Sequence, residues 1–153
     1  MIKKIIFISL FLIFSYKLFG LETPDDLIIE NIEIGDKNSD FSQESDLLTV
    51  NYQGWIFNEK AQVKNYCNAK GKMFDSNVDE KFNHKKPFQF ILGKGIVIKG
   101  WDEGLKNMYI NGKRCIVIPS KLAYGNRKIG NIIEPNSTLI FEVHLLNINK
   151  GKK

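Results

Sequence analysis

The sequence predicts an α+β domain in which a curved antiparallel sheet of about five strands is wrapped around one short amphipathic helix. Three observations support this prediction. Segments with period-two alternation recur along the chain, most of them are joined by loops, and a single stretch has apolar residues at helical spacing. Strands joined by loops pair antiparallel, and a lone amphipathic helix must bury its apolar side, so we expect the helix at the centre of the core.

The N-terminus is typical of an export signal. Residues 1–20 contain Lys3 and Lys4, followed by an apolar run from Ile5 to Phe14. This run is about half the ~20 residues that span a bilayer. We therefore expect a cleaved signal peptide and an exported protein, located in the periplasm, the extracellular space or the lumen of the secretory pathway. The chain would be membrane-tethered if cleavage fails, and would have no stable membrane span after it.

Net charge argues against nucleic acid as a partner. The chain has 22 basic and 17 acidic residues. Residues 1–20 include three lysines and no acid, so their removal leaves 19 basic against 17 acidic residues, a net charge of +2. A nearly neutral mature protein lacks the basic footprint that nucleic-acid binding requires.

The chain divides into a leader, a domain and a tail. Residues 21–46 are expected to hold a first strand, LIIENIEI, and a loop, GDKNSDFSQESD. The domain is expected at 47–149 and a basic tail at 150–153. The first domain strand, LLTVNYQGWIF, has an apolar face beginning at Leu48, which indicates a half-buried strand. The polar segment 58–70 shows no period and predicts a surface connection.

The remaining elements follow the same rules. GKMFDSN, PFQFIL, KRCIVI and TLIFEVHLL predict strands, and the long loop PSKLAYGNRKIGNIIEPNS separates the last two. From Ile96 to Met108 apolar residues recur at helical spacing, which predicts the one helix. Trp101 is then expected to face the sheet from the first turns of this helix.

The two cysteines leave two alternatives open. Cys67 lies in the polar segment and Cys115 in a predicted strand. An exported location permits a disulfide. The sequence does not give the distance between the Cα atoms that a disulfide requires, so two free thiols and one bridge both remain.

Motifs of covalent, metal and nucleotide chemistry are absent from the sequence. It contains no P-loop, dinucleotide glycine fingerprint, HExxH or GxSxG pattern, and we expect no cofactor and no metal site. His84, in a loop, and His144, on the outward phase of the last strand, are far apart and are interpreted as ordinary surface histidines.

Aromatic residues from separate segments form the candidate site. They are Tyr52, Phe74, Phe88, Trp101, Tyr124 and Phe141. A core rich in rings explains any one of them. However, the hydroxyls of Tyr52 and Tyr124 and the carboxylate of Asp75 stand beside these rings, and polar groups beside rings suggest a cleft.

These segments resemble the FKBP-type peptidyl-prolyl cis/trans isomerases, the immunophilins that bind tacrolimus and rapamycin. The resemblance runs from about Ile32 to Leu146 and is carried by VNYQGW, GKMFDSN, KPFQFILGKGIVIKGWDEGL, INGKRCIVIPSKLAYG and IIEPNSTLIFEVHLL, in that order. It implies an FKBP-like fold, isomerase activity on X-Pro bonds, proline-containing polypeptides as substrates and macrolides of the tacrolimus and rapamycin type as ligands. No helical dimerisation segment is apparent, so we expect a monomer.

The resemblance also implies roles for individual residues. Trp101 is expected to form the floor of a pocket for the proline ring. Catalytic roles fall to Asp75, Tyr124, Tyr52 and Ile98, with the Ile98 N–H and the Tyr124 hydroxyl donating hydrogen bonds to the substrate. Substrate-binding roles fall to Phe74, Phe88, Val97, Trp101, Phe141, Ile129 and Ile133. Ile96 and Glu134 depart from the residues common in the family, which bears on substrate preference and drug affinity more than on activity.

Two questions remain open at this point. Asp75 either acts electrostatically on the reacting amide or accepts a hydrogen bond from Tyr52 and braces the pocket. The chain is either an isomerase or a proline-binding module or chaperone that uses the same pocket with little turnover. Because isomerisation needs no proton transfer, the isomerase is expected to have a nearly flat rate between about pH 6 and 8 on a Phe-Pro peptide.

Overall fold

The computed structural model describes residues 21–151, so the predicted signal peptide and the last two residues of the tail lie outside the described residues. The described chain forms six strands, one α-helix and two 3-10 turns. They are β1 (Ile28–Glu33), β2 (Leu47–Phe57), β3 (Lys70–Ser76), β4 (Phe88–Ile91), α1 (Lys99–Gly104), β5 (Lys113–Ile118) and β6 (Leu139–Asn149), with the 3-10 turns at Tyr66–Asn68 and Ser120–Leu122. The predicted α+β class with one short helix is confirmed, and the sheet has one strand more than the expected five.

All six strands belong to one antiparallel sheet. Its order is β1-β5-β6-β2-β3, and β4 pairs with β2 outside this path. Strand β2 is shared, since β4 pairs with its first residues and β3 with its last ones. The β2–β3 register shifts between Gly54 and Trp55, and such a bulge bends a strand and increases its twist. The sheet therefore curves around the helix.

Helix α1 begins later than the sequence predicts. Asp102 in α1 accepts hydrogen bonds from the backbone N–H groups of Gly93 (2.8 Å) and Gly95 (2.9 Å). Ile98, the N-cap of α1, has an extended backbone with φ −61° and ψ 148°, so the helical path begins only after it. Ile96, predicted to be helical, lies before this residue and is 60% exposed. The expectation of a helix starting at Ile96 was therefore wrong.

The helix also ends earlier than predicted, and Arg114 donates hydrogen bonds to carbonyl groups at its C-terminus. The Arg114 side chain is buried and donates to the carbonyl oxygens of Gly104 (2.8 Å), Lys106 (2.7 Å) and Asn107 (3.2 Å). Burial lowers the pKa of Arg114. Its guanidinium group remains a hydrogen-bond donor and satisfies carbonyl groups that the end of the helix leaves unpaired. Met108 is buried without being helical. Its burial at helical spacing explains why the sequence pattern predicted a longer helix.

Two glycines let α1 lie directly on strand β5. A Cβ atom on Gly100 would stand 2.3 Å from Cγ2 of Ile118, and one on Gly104 would stand 3.0 Å from Cγ2 of Ile116. Side chains at these positions would push the helix away from the sheet. The close approach places the indole of Trp101 in the main core, where it is 4% exposed.

A second apolar cluster covers the opposite face of the sheet. It comprises Trp55, Phe57, Cys67, Ala69, Cys115, Val117 and Ile140. Neighbouring residues of β5 alternate between the two clusters, as successive side chains of a strand must. A disulfide joins Cys67 to Cys115, with Cα atoms 6.1 Å apart, so the bridge is the alternative that the structure shows. Segment 58–70 is thus fixed to the sheet by Cys67, and the predicted surface connection is partly buried.

The leader and the tail are also attached to the domain. Strand β1, within the predicted leader, pairs with β5 at the edge of the sheet. In the tail, Lys150 lies 2.8 Å from the carboxylate of Asp46, and the Gly151 N–H donates to the same group at 3.1 Å. Within residues 21–151, every helix is too short or too polar to span a bilayer.

Candidate active site

Trp101 is the centre of a cluster of edge-on aromatic rings. Its ring centroid lies 5.2 Å from that of Phe141 and 5.3 Å from that of Tyr52, with interplanar angles of 87° and 81°. Phe88 and Phe90 pack against it at 6.1 Å and 5.5 Å. Edge-to-face contacts of this kind are favourable because the positive edge of one ring meets the negative face of another. The rings contributed by β2, β4, β6 and α1 therefore converge on one indole.

Gly54 makes room for two of these rings in the middle of the sheet. A Cβ atom at Gly54 would stand 2.8 Å from Cζ of Phe74 and 2.8 Å from Cε1 of Phe141. With no side chain there, Phe74 from β3 and Phe141 from β6 meet edge-on across β2, with centroids 5.4 Å apart. The wall of the site formed by Phe74 and Phe141 therefore requires a glycine at position 54.

The rings surround an open cavity of about 530 Å³. Of the residues expected from the sequence, it is lined by Tyr52, Phe74, Asp75, Phe88, Val97, Ile98, Trp101, Tyr124 and Phe141. Ile96, Lys99, Ala123 and Arg127 also line it and were not assigned to the pocket in advance. This volume is within the range of small-ligand sites.

Ile129 and Ile133 lie beside the cavity rather than around it. They line a neighbouring hollow of about 260 Å³ that shares Phe74, Asp75 and Tyr124 with the main cavity. The two isoleucines exchange backbone hydrogen bonds of 2.9 Å and 3.2 Å, which close the tip of the long loop after β5. The structure therefore places them along one side of the site and not in its floor.

Two hydrogen-bond donors in the cavity have no partner within residues 21–151. The backbone N–H of Ile98, just before α1, donates to none of the described groups, and neither does the Tyr124 hydroxyl. Burial raises the pKa of Tyr124, the charge of Asp75 raises it further, and Arg127 opposes the shift. Tyr124 therefore remains a protonated donor at neutral pH. At the floor, the buried indole N–H of Trp101 likewise has no partner among the described residues.

Asp75 is held by donors on both carboxylate oxygens. The Tyr52 hydroxyl donates to Oδ2 at 2.7 Å, the Ser76 N–H donates to Oδ1 at 2.9 Å, and Nε2 of His84 lies 2.8 Å from Oδ1. Burial, then the hydrogen bond to Asp75 and its charge, raise the pKa of Tyr52, so this phenol keeps its proton. The Tyr52 contact required by the bracing alternative is present. His84, interpreted from the sequence as an ordinary surface histidine, contacts a residue of the cavity wall.

The buried residue Asn77 positions the loop that carries His84. Its Oδ1 accepts from the Tyr52 N–H at 2.8 Å, and its Nδ2 donates to the carbonyl oxygens of Val50 and Lys86, both at 3.1 Å. Asn77 is 2% exposed. It therefore ties the β3–β4 loop to β2 at both ends. The only signal for this in the sequence is a polar DSN run at the end of a strand, which also predicts an ordinary turn.

Comparisons with known proteins agree with this architecture. A family model described as FKBP-type peptidyl-prolyl cis-trans isomerase matches residues 38–146. The chain is 42% identical over 125 residues to a protein named FK506-binding protein from Neisseria meningitidis serogroup A, a match that covers 80% of this chain and 95% of that protein. It is 39% identical over 121 residues to FK506-binding protein 1 of Saccharomyces cerevisiae, covering 79% of this chain and 91% of the yeast protein.

A longer relative matches over part of its length. FK506-binding protein 2B of Rhizopus delemar is 41% identical over 111 residues, which cover 72% of this chain and 46% of the fungal protein. The family model covers more than half of the chain, and the bacterial and yeast relatives are matched over nearly their whole length. The chain therefore belongs to the FKBP-type peptidyl-prolyl cis-trans isomerase family and is an enzyme of that type.

Proposed function

We propose that this isomerase binds the proline of an X-Pro segment with its ring over Trp101 and catalyses rotation inside the ring-lined cavity. The observation that carries the proposal is the convergence of rings from four strands and one helix on a cavity of about 530 Å³. Proline-containing polypeptides are the proposed substrates, and macrolides of the tacrolimus and rapamycin type are proposed to compete for the same cavity.

The chemistry requires no covalent step. Rotation about an X-Pro bond crosses a barrier of about 18–20 kcal/mol because it breaks amide resonance. The planar amide has a polarised carbonyl that water solvates well, whereas the twisted amide has less charge separation. A cavity lined by rings and aliphatic side chains withholds water, and so favours the twisted state relative to the planar one. Only this difference accelerates the reaction.

Fixed donors would orient the substrate in this apolar environment. The free N–H of Ile98 and the free hydroxyl of Tyr124 are proposed to donate to carbonyl oxygens on either side of the rotating bond. We assign Asp75 a bracing role because both of its carboxylate oxygens already have partners. Oδ2 accepts a hydrogen bond from the Tyr52 hydroxyl, Oδ1 accepts one from the Ser76 N–H, and Nε2 of His84 lies 2.8 Å from Oδ1. A preorganised site of this kind loses little free energy in ordering itself around the substrate.

Turnover of a Phe-Pro peptide, measured with and without rapamycin, tests this proposal. We expect acceleration that rapamycin abolishes. Trp101→Leu should lose at least about tenfold in kcat/KM, because leucine offers less apolar surface beneath the proline ring than the indole does. Trp55→Leu is the matched control, since Trp55 is the chain's other tryptophan and lies in the cluster on the opposite face. Circular dichroism checks that both variants fold.

The outcomes separate an enzyme from a binding module. Rapamycin binding without acceleration would favour the binding module or chaperone. Full turnover in Trp101→Leu would show that the proline does not bind over this indole.

We also propose that the protein is exported and acts on clients in an oxidising compartment. The signal-like residues 1–20 and the disulfide between Cys67 and Cys115 support this. Expression of the full chain with its own leader, followed by fractionation and intact mass measurement, tests it. We expect a product lacking residues 1–20, outside the cytoplasm, with no free thiol. A cytoplasmic product that retains Met1 would contradict the proposal.

A further inference from the structure

His84 contacts Asp75 at the rim of the cavity, and the mechanism above uses this contact only to brace Asp75. The imidazole Nε2 lies 2.8 Å from Oδ1 of Asp75, and the two side chains are 54% and 36% exposed. Both groups therefore remain accessible to protons from solvent while they stay in contact. Asn77 fixes the loop on which His84 lies, so the contact is a feature of the folded loop.

The charges around this pair are unevenly distributed. Among the described residues that line the cavity, Asp75 is the one carboxylate, and Lys99 and Arg127 are the two cations. Lys99 pairs with Glu103 at 3.5 Å, whereas no carboxylate of residues 21–151 lies within ion-pair distance of Arg127.

Five charged residues share the loop of His84, namely Lys81, Lys85, Lys86, Asp79 and Glu80, and Lys85 lies 3.7 Å from Glu80. On the other side of the pair, the Tyr52 hydroxyl donates to the second oxygen of Asp75. Histidine is the type of side chain whose charge ordinarily changes between about pH 5 and 8.

Protonation of His84 changes the charge of the rim by one unit. With a neutral imidazole, the pair formed by His84 and Asp75 carries the −1 charge of the carboxylate. With a protonated imidazole, the pair is neutral and its hydrogen bond is charge-assisted. If the proline ring lies over Trp101, the residue before the proline lies at the mouth of the cavity, near this rim.

We propose, on the basis of the function proposed above, that His84 positions Asp75 and sets the charge of the cavity rim. Lower pH then shifts the enzyme's preference from Lys-Pro towards Glu-Pro substrates. A unit charge that acts on a substrate charge one Debye length away, ~8 Å at physiological ionic strength, changes kcat/KM by about twofold. Because the two substrates respond in opposite directions, their ratio changes by about fourfold.

The experiment compares three blocked peptides that differ only in the residue before proline, which is Lys, Glu or Leu. Exchange is followed by NMR without a helper protease between about pH 5.5 and 8.0. We expect the Glu-Pro to Lys-Pro ratio of kcat/KM to rise about fourfold as pH falls, and to change less at high salt. The Leu-Pro rate stays flat, as a mechanism without proton transfer requires.

Variants assign the pH dependence to one residue. His84→Asn removes the slope of the ratio, and His84→Arg, with a permanent charge, gives the low-pH preference at every pH. His144→Asn is the matched control because it is the chain's only other histidine and lies on the outer face of β6, and it keeps the wild-type slope. Arg127→Gln shifts the ratio at every pH and leaves its slope unchanged.

Each result decides one question. A flat ratio in the wild type, or a slope that survives in His84→Asn, overturns the role of His84 even when Leu-Pro turnover is normal. A slope that disappears in His144→Asn also overturns it, because it assigns the titration to the opposite face. Failure to accelerate the Leu-Pro peptide at any pH instead overturns the proposed function itself.

Discussion

At the scale of single residues, Tyr52 links the apolar and the polar parts of the site. Its ring packs edge-on against Trp101, and its hydroxyl donates to Asp75 at 2.7 Å. Its backbone N–H is bound by Asn77, the residue that fixes the neighbouring loop. The ring shapes the cavity wall, whereas the hydroxyl holds the carboxylate at the rim. These two roles can be separated by removing the hydroxyl alone.

Tyr52→Phe is expected to change the stability of the protein at alkaline pH. Burial and then Asp75 raise the pKa of Tyr52 in the folded state, whereas an unfolded tyrosine titrates near a pKa of about 10. Below about pH 10 both states are protonated, and at higher pH the unfolded state ionises first. The free energy of unfolding therefore falls as pH rises above about 10, and this fall should be smaller in Tyr52→Phe.

Urea unfolding of both proteins at about pH 8 and 10.5 measures this difference. The comparison with the wild type removes the contribution of groups that both proteins share. Equal losses of stability in the two proteins would show that Tyr52 does not resist ionisation in the fold. Turnover of a Leu-Pro peptide at neutral pH should survive in Tyr52→Phe, because the ring that lines the cavity remains.

At the scale of elements, the strands were easier to predict than the helix or the loops. Strand β6 and the first part of β2 alternate between buried and more exposed residues because one face meets the main core. Strand β5 is instead a short apolar run that is buried on both faces. The helix was predicted from Ile96 to Met108 because Leu105 and Met108 are buried at helical spacing, but the first packs in a turn and the second after it. Periodicity records which residues are buried, and it does not record how the backbone reaches them.

The contacts that the sequence did not reveal are made by loop side chains. The bond between His84 and Asp75 depends on a loop conformation that Asn77 fixes through three hydrogen bonds to backbone groups. The position of Arg127 in the cavity wall depends on the path of another loop. By contrast, the six aromatic residues of the candidate site were picked out from separate segments of the sequence, and the family resemblance then assigned them to one pocket. Polar loop residues have no periodic pattern, so their partners emerge only from the folded chain.

Substitution of the two helix glycines tests how closely α1 lies on β5. Alanine is about 1 kcal/mol better than glycine inside a helix. A Cβ at Gly100, however, would stand 2.3 Å from Ile118, so overpacking should dominate and Gly100→Ala should lower the free energy of unfolding by roughly 1–3 kcal/mol. Gly104→Ala is the matched control, since its Cβ would stand 3.0 Å from Ile116 and Gly104→Ala should cost less.

Urea denaturation of the two glycine variants gives the order directly. The double variant Gly100→Ala with Ile118→Ala should show a favourable coupling, because the truncated side chain removes the clash. A Gly100→Ala protein as stable as the wild type would mean that the helix can move away from the sheet at little cost.

At the scale of the whole molecule, the sheet separates the ring-lined cavity from the disulfide. One face carries α1, the ring cluster and the cavity, whereas the other carries the second cluster and the disulfide. Cys115 belongs to β5, whose next residue, Ile116, packs on the opposite side in the main core. A change at the disulfide should therefore affect the stability of the fold more than the shape of the cavity.

Loss of the disulfide is expected to destabilise the protein and leave turnover largely intact. The bridge joins residues separated by 48 positions, and closing a loop of that length stabilises a fold by roughly 4 kcal/mol in the chain-entropy description. Alanine at both Cys67 and Cys115 should lower the free energy of unfolding by an amount of that order, and reduced wild-type protein should match it. Reductant should not change the stability of the alanine variant, which controls for effects of the reagent.

Because the cavity lies on the other face of the sheet, kcat/KM on a Leu-Pro peptide should stay within about twofold at temperatures where the variant remains folded. A variant that is as stable as the wild type would show that the second cluster holds segment 58–70 without the bridge, and a stable variant that has lost turnover would show that the two faces are coupled.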